Sequence, residues 1–230
     1  MKERPIIFSN EMVQAILDGR KTQTRRVVKE QPNRVRYNNI VYKGKYGWED
    51  EHGRRLLNLY GEPGDRLWVR EKWRIVGWGG ETYQIQYSDG TILEEPGDSS
   101  EYDEDAYMKL FEQCDKECTD AGLELDDDDY YIFKDGVIPT RWRSPIHMPR
   151  WASRITLEIT DFWAQRVQEI SFYELQQEGM QGELTKAVKE YIRLWDSLNE
   201  KRGYPWSSNP WAWVIEFERL PQSPHEGLAQ

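Results

Sequence analysis

Four cationic side chains lie within eight residues in the run Gly19–Arg20–Lys21–Thr22–Gln23–Thr24–Arg25–Arg26. Before this signature run, apolar residues recur at helical spacing up to Leu17, and Gly19 stands where a helix commonly ends in a left-handed residue. The β-branched residues that follow predict a strand over 22–29. The signature run is therefore a cation-rich junction between a helix and a strand, which is typical of an anion-binding corner.

The signature run also contains a candidate nucleophile and a candidate base. Alternation along a strand separates Thr24 from Arg25 onto opposite faces. A bend at Lys21 would bring its amine to the Thr24 hydroxyl, and such a pair can act as nucleophile and base if burial keeps the amine uncharged. The alternative is a solvent-facing junction, because these residue types are usually exposed.

Helical spacing and alternation of apolar residues account for much of the remaining chain, apart from residues 30–60, which give no firm element. The predicted strands run over 67–76, 152–160 and 211–217, with a hairpin that turns at 88–90, and the predicted helices lie over 12–17, 171–179 and 184–198. Strands outnumber helices and adjoin short turns. The predicted fold class is therefore α+β, a small mixed β-barrel decorated with helices.

The composition excludes several classes of protein. The chain has 230 residues, of which 38% are hydrophobic, and a formal net charge of −10. No apolar run approaches the roughly 18 residues that a membrane span needs, and the start resembles no signal peptide. Two cysteines and three histidines make neither a disulfide framework nor a zinc cluster. We therefore expect a cytoplasmic protein with no membrane partner, no metal and no cofactor.

Most of the acidity lies in one window, residues 94–129, which carries 16 acidic and 2 basic side chains. Dense like charge repels itself, which predicts a partly mobile acidic insertion on the surface. The alternative is a mimic of nucleic-acid phosphate that covers a basic cleft. On this interpretation a single domain comprises 1–93 and 130–220, followed by a flexible tail at 221–230.

A second cationic cluster lies at 141–154, where no acidic residue occurs in 14 positions. Arginines interleaved with aromatic side chains suit a single-stranded nucleic acid, through phosphate pairing and base stacking. The alternative is that the tryptophans fill the core and the arginines are their solvated neighbours. The candidate binding residues of both regions are Arg20, Arg25, Arg26, Arg141, Trp142, Arg143, His147, Arg150, Trp151 and Arg154.

The signature run resembles that of a known family. The G-x-K-x-x-[E/T]-x-R pattern of the ASCH family, within the PUA-like superfamily, is matched by Gly19, Lys21, Thr24 and Arg26. Stretches at 64–71, 178–180 and 213–217 are similar to further motifs of the family and follow in its order. The second cationic cluster resembles the longer ASCH proteins associated with phages and prophages.

This resemblance implies a PUA-like β-barrel with a cleft beside the signature run, proposed to bind RNA. One branch of the family consists of small bacterial amidohydrolases that remove the acetyl group from N4-acetylcytidine. Their lysine, threonine and glutamate fall on Lys21, Thr24 and Glu178 of this chain, which implies that these three are catalytic. Many ASCH proteins have glutamate in place of Thr24, so the threonine favours the amidohydrolase branch, although this chain is much longer.

Three functions follow as hypotheses. The first is hydrolysis of N4-acylated cytosine in a nucleoside or nucleic acid, with Thr24 as nucleophile, Lys21 as base, and Glu178 orienting the lysine or a water. The second is a non-catalytic module that binds RNA or single-stranded nucleic acid. The third is a ribonuclease, for which His147 is the candidate residue. The expected partner is a modified cytidine nucleoside or a single-stranded nucleic acid.

Overall fold

The computed structural model describes residues 1–42, 45–56, 58–79, 82–96, 104–125, 131 and 139–221. The chain divides into two compact units. The described residues of the first unit are Met1–Ile6, Glu11–Trp68 and Thr156–Pro221, and those of the second are Ile7–Asn10 and the described parts of Val69–Ile155. The expected flexible tail, except for Pro221, and parts of the acidic window lie outside the described residues.

Ten strands and four α-helices form within the described residues. The strands are β1 (Glu3–Ile7), β2 (Gln23–Val27), β3 (Val35–Tyr42), β4 (Lys45–Asp50), β5 (Arg66–Arg70), β6 (Trp73–Gly79), β7 (Thr82–Tyr87), β8 (Ile92–Pro96), β9 (Thr156–Arg166) and β10 (Trp211–Arg219). The helices are α1 (Asn10–Leu17), α2 (Glu104–Asp120), α3 (Phe172–Gln177) and α4 (Leu184–Asn199). The coarse prediction of a mixed α+β fold is therefore confirmed.

A five-stranded sheet in the order β1-β5-β9-β10-β2 forms the framework of the first unit. β10 pairs antiparallel with both β9 and β2, and its residues from Ala212 to Ile215 are all buried. The predicted closed barrel is not formed in the described part of the chain. β1 and β2 are the open edges of the sheet, because β3 and β4 pair with each other in a separate two-stranded sheet instead of closing it.

The helices α3 and α4 share an apolar cluster with the sheet. The buried members of this cluster are Val167, Leu175, Ala187, Tyr191, Trp195 and Ala212. A capping box opens α3, because the Ser171 side chain accepts a hydrogen bond from the Glu174 N–H while the Ser171 N–H donates to Glu174 Oε2 at 2.7 Å. Gly179 follows the helix with a φ of 93°, so α3 stops where the sequence predicts.

A hairpin that the sequence analysis did not predict occupies part of residues 30–60. β3 and β4 pair antiparallel, with Val35 opposite Asp50. The buried Asp50 carboxylate accepts hydrogen bonds from the N–H groups of His52 and Arg54 at 2.9 and 2.8 Å. One aspartate thus fixes the turn after β4, whereas the polar and aromatic composition of these strands gives only a weak signal.

The second unit contains a three-stranded sheet in the order β6-β7-β8. β7 and β8 form the hairpin predicted around residues 88–90. The strand predicted over 67–76 is in fact two strands, because Glu71 and Lys72 lie outside strand conformation between β5 and β6. The helix α2 lies within the acidic window, and its Cys114 packs into the apolar core of this unit.

Among the described residues, no helix is both long enough and apolar enough to cross a membrane.

Candidate active site

The helix–strand junction of the signature run is held against the end of α3. Gly19 adopts a φ of 72°, which lets the chain turn as it leaves α1. The N–H group of Lys21 then donates to Ala15 O at 2.9 Å. Lys21 also forms a β-bridge with Glu178. The fold therefore brings together two residues that are 157 positions apart in the sequence.

Lys21 and Glu178 form a buried ion pair. Lys21 Nζ donates to Glu178 Oε2 at 2.6 Å, to Glu178 O at 3.1 Å and to Gln23 O at 2.7 Å. These bonds account for the three protons of an ammonium group. The side chains of Lys21 and Glu178 are only 0% and 3% exposed, so both groups are removed from solvent.

The environment of Lys21 favours loss of its proton. Burial lowers the pKa of Lys21 below its ordinary value, while the Glu178 carboxylate opposes this change. The guanidinium groups of Arg26 and Arg25 act in the same direction as burial. A buried lysine with a lowered pKa is a common feature of functional sites, because its neutral amine can accept a proton.

Arg25 extends the ion pair into a network. Its Nη1 donates to Glu178 Oε1 at 3.1 Å and to Gln23 Oε1 at 2.7 Å. Its Nη2 donates to Glu174 Oε1 and to Gln165 Oε1, each at 2.8 Å. One oxygen of Glu178 therefore contacts Lys21 and the other contacts Arg25, so the carboxylate is held in a single orientation.

Glu174, Gln165 and Tyr191 belong to this site, although the sequence analysis did not single them out. Burial raises the pKa of Tyr191 well above its ordinary value, and Glu178 acts in the same direction. The sequence signal for Glu174 is its place in a capping box, and that for Tyr191 is its place in the apolar stripe of α4. The sequence patterns of Glu174 and Tyr191 therefore indicate a helix cap and a core position, and they do not indicate that these residues lie beside Glu178 and Arg25.

Thr24 directly follows Gln23, whose backbone carbonyl accepts a hydrogen bond from the amine of Lys21. The amine of Lys21 bonds to the carbonyl of Gln23, and this carbonyl belongs to the peptide bond that joins Gln23 to Thr24. Thr24 is 3% exposed and lies in β2 opposite Ile215 of β10. The buried threonine is therefore held on a paired strand immediately beyond the point where the lysine amine touches the backbone.

The other two cations of the signature run have different surroundings. Arg20 Nη2 pairs with Asp18 at 2.7 Å, and Arg20 Nη1 donates to Gly179 O at 3.2 Å. Arg26 is half-buried, and burial lowers the pKa of its guanidinium. Arg20 thus reinforces the junction, whereas Arg26 adds positive charge to the site.

A cavity of about 430 Å³ adjoins this cluster and shares Arg25 with it. Its lining also contains Arg26, the aromatic side chains of Tyr60 and Trp213, and aliphatic side chains such as Leu56. Cavities of this size, with mixed apolar and polar walls, are typical sites for small molecules. Tyr60 comes from the segment 30–60, for which the sequence predicted no element.

Several arginines of the second cationic cluster are paired within the second unit. Arg143 Nη2 lies 3.4 Å from Glu117 Oε1, in the acidic window. Arg154 is buried and lies 2.8 Å from both Glu71 and Asp89. These charges therefore have partners inside the protein, and a role of these arginines in nucleic-acid binding stays a prediction.

The aromatic residues of the second cationic cluster differ in exposure. Trp151 is partly buried and stacks on Tyr83, with 5.2 Å between the ring centroids and 16° between the planes. Trp142 is 37% exposed, and the cations of Lys72 and Arg74 lie 5.2 and 4.6 Å from the centroid of its ring. The exposed candidates of the cluster are Arg141, Trp142, His147 and Arg150.

Comparison with known proteins gives no match. No protein-family model, no curated protein and no solved structure matches the chain. Within the described residues, no group of three or more histidine, cysteine, aspartate or glutamate side chains could hold a metal ion. The features that bear on function are therefore the buried Lys21–Glu178–Arg25 cluster and the cavity that Arg25 also lines.

Substitution of Gly179 by alanine is expected to destabilise the protein by about 1–3 kcal/mol. Gly179 has a φ of 93°, and an added Cβ would lie 3.1 Å from Ala15 Cβ and 3.4 Å from Lys21 Cβ. Urea denaturation measures the loss. The matched control is Gly203→Ala, at a φ of 87° with no atom within 4 Å, which should lose less. Equal losses would show that the contacts with Ala15 and Lys21 are unimportant.

Proposed function

We propose that this protein is an ASCH-type amidohydrolase with a PUA-like framework, which removes the acyl group from N4-acylated cytosine. The observation that carries the proposal is the buried ion pair of Lys21 and Glu178, which is held by Arg25, a residue that also lines a cavity. Burying such a pair contributes little to stability compared with apolar residues of the same size. A function for these charges is therefore the better explanation of their burial.

The proposed reaction begins at Thr24. Its hydroxyl oxygen forms a bond to the acyl carbonyl carbon, and its proton passes to the neutral amine of Lys21. The bond between this carbon and N4 of cytosine then breaks, and the proton moves from Lys21 to N4 as cytidine leaves. Water then attacks the acyl carbon of the resulting ester and gives a proton to Lys21. The bond between this carbon and the Thr24 oxygen breaks, the proton passes from Lys21 to the Thr24 oxygen, and the carboxylic acid is released.

Glu178 and Arg25 act in this proposal as positioning residues. Glu178 fixes the amine of Lys21 through a 2.6 Å hydrogen bond. Arg25 holds the other oxygen of this carboxylate and offsets part of its negative charge, which would otherwise raise the pKa of Lys21 further. The aromatic side chains of Tyr60 and Trp213 in the cavity lining suit a flat pyrimidine ring.

The rate of hydrolysis is expected to rise with pH, because only the neutral form of Lys21 can accept the proton of Thr24. The pKa of Lys21 is lowered by burial, so the midpoint of the rise should fall below the ordinary value for lysine. Glu178 opposes this lowering, and Glu178→Gln should therefore shift the midpoint to lower pH. Initial rates over a pH series, corrected for hydrolysis without protein, measure the profile. A profile that falls with pH would contradict the role of Lys21 as base.

The direct test is hydrolysis of N4-acetylcytidine, followed by ultraviolet absorbance and by detection of acetate and cytidine. Release of both products in equal amounts supports the proposal. Absence of turnover with N4-acetyl and longer N4-acyl cytidines would overturn it. Binding of single-stranded RNA without turnover would instead favour a non-catalytic binding module.

A further inference from the structure

The cavity concentrates positive charge in a chain that is acidic overall. The formal net charge of the chain is −10, yet the lining of the cavity contains one carboxylate, that of Glu30, against five cationic side chains. These five are Arg25, Arg26, Lys29, Arg55 and Arg202. A concave site lined by one sign of charge attracts ligands of the opposite sign.

Arg55 and Arg202 differ from Arg25 in their surroundings. Arg25 is occupied by the carboxylates of Glu174 and Glu178. Arg202 Nη1 donates to a neutral acceptor, Asn199 Oδ1, at 3.1 Å. Arg55 lies 3.8 Å from the nearest oxygen of Glu62, and both side chains are more than 40% exposed. Arg55 and Arg202 are both exposed to solvent, so a charged ligand can reach them.

Arg202 lies close enough to Arg26 to act on the charge of its guanidinium. Burial is the main cause that lowers the pKa of the Arg26 guanidinium; Tyr60 and Glu178 oppose this lowering, and Arg202 adds to it. Both guanidinium groups line the cavity, and an anion that contacts both would offset the repulsion between the two like charges. The planar guanidinium fork is also well suited to paired hydrogen bonds with phosphate oxygens.

We propose that Arg26, Arg55 and Arg202 form a phosphate subsite, so that the substrate is an N4-acylated cytidine mononucleotide rather than the free nucleoside. The identity of the base rests on the proposed function, whereas the phosphate subsite stands on the charge of the cavity. The cavity of about 430 Å³ is of the size that encloses one small molecule. A mononucleotide therefore fits the site better than a polymer.

The test is isothermal titration calorimetry of the full chain with cytidine 5′-monophosphate, cytidine and inorganic phosphate. We expect the monophosphate to bind at least about tenfold more tightly than cytidine, since charge-assisted hydrogen bonds to phosphate are strong. Arg55→Gln and Arg202→Gln should each remove most of this difference. The matched control is Arg193→Gln, an exposed arginine of α4 that does not line the cavity, and it should leave the difference intact.

The outcomes distinguish failure of the phosphate subsite from failure of the proposed hydrolysis. Equal affinity for cytidine and its monophosphate, or a difference that survives both substitutions, would overturn the phosphate subsite even if N4-acetylcytidine is hydrolysed. Tighter binding of a cytidine oligonucleotide than of the monophosphate would overturn the assignment to a mononucleotide. Phosphate-dependent binding that is lost in both variants, without hydrolysis of any N4-acyl cytidine, would support the subsite and count against the proposed function.

Discussion

Replacement of Thr24 by valine is expected to reduce hydrolysis of N4-acetylcytidine by at least about 10³-fold, the scale on which loss of a nucleophile acts in other hydrolases. Valine keeps the branched shape at Cβ and replaces the hydroxyl with a methyl group. Thr24 is buried in β2 opposite Ile215, so valine suits both the strand and the packing. The steady-state rate with N4-acetylcytidine measures the loss.

Two controls separate chemistry from folding for this variant. Thr24→Ser keeps a hydroxyl and should retain measurable turnover, although the loss of a buried methyl group lowers stability by about 1 kcal/mol. Thr24→Val should unfold in urea close to the wild-type midpoint. Turnover by Thr24→Val within about tenfold of wild type would exclude Thr24 as nucleophile, since loss of the attacking oxygen must slow the reaction by far more.

Replacement of Glu178 by glutamine is expected to lower the free energy of unfolding by about 3 kcal/mol near neutral pH. The substitution removes the charge that pairs with Lys21 at 2.6 Å and with Arg25 at 3.1 Å. It leaves a buried ammonium group without its carboxylate, and this is the costly step. Urea denaturation of wild type and variant measures the difference.

The loss in Glu178→Gln should become smaller as the pH rises. The pKa of Lys21 is lowered in the folded protein, so the unfolded chain binds more protons between the folded and unfolded pKa values, and stability there increases with pH. Without Glu178, which opposes the lowering, the pKa falls further and this gain begins at lower pH. The difference from wild type should therefore be smaller near about pH 9 than near about pH 7.

Two further variants test this interpretation. Glu190→Gln removes an exposed carboxylate of α4 that lies 3.8 Å from Lys186 and should change stability by less than about 0.5 kcal/mol. In a Lys21→Met background, Glu178→Gln should cost less than in wild type, because no buried ammonium group remains. A loss that is independent of pH and unchanged by Lys21→Met would show that the pairing with Lys21 does not stabilise the fold.

Local features of the fold could be predicted from the sequence because they depend on neighbouring residues. Gly19 follows the end of α1, the capping box of Ser171 and Glu174 opens α3, and the hairpin of β7 and β8 turns at residues 88–90. The break between β5 and β6 could not be predicted, since it coincides with Glu71, whose buried carboxylate pairs with Arg154 far along the chain.

The charges of the second cationic cluster also depend on residues that are distant in the sequence. The sequence displays arginines without nearby acids, but Glu117, in the acidic window, lies 3.4 Å from Arg143. Composition counts charges by position in the chain, whereas an ion pair depends on position in space. The acidic window and the cationic cluster are therefore separate segments in the sequence, but Glu117 and Arg143 form an ion pair between them in the second unit.

The helix–strand junction of the signature run, with Lys21 at the bend and Thr24 in the strand, follows from local sequence, because helix ends and strand alternation are local properties of the chain. The contact of Lys21 with Glu178, 157 positions away, and the sharing of this carboxylate with Arg25 depend instead on long-range packing. The same holds for the open edges of the sheet among the described residues and for the cationic cavity that Arg25 lines. Burial shifts the pKa of Lys21 and makes the pairing strong, and it depends on residues that only the folded chain brings together.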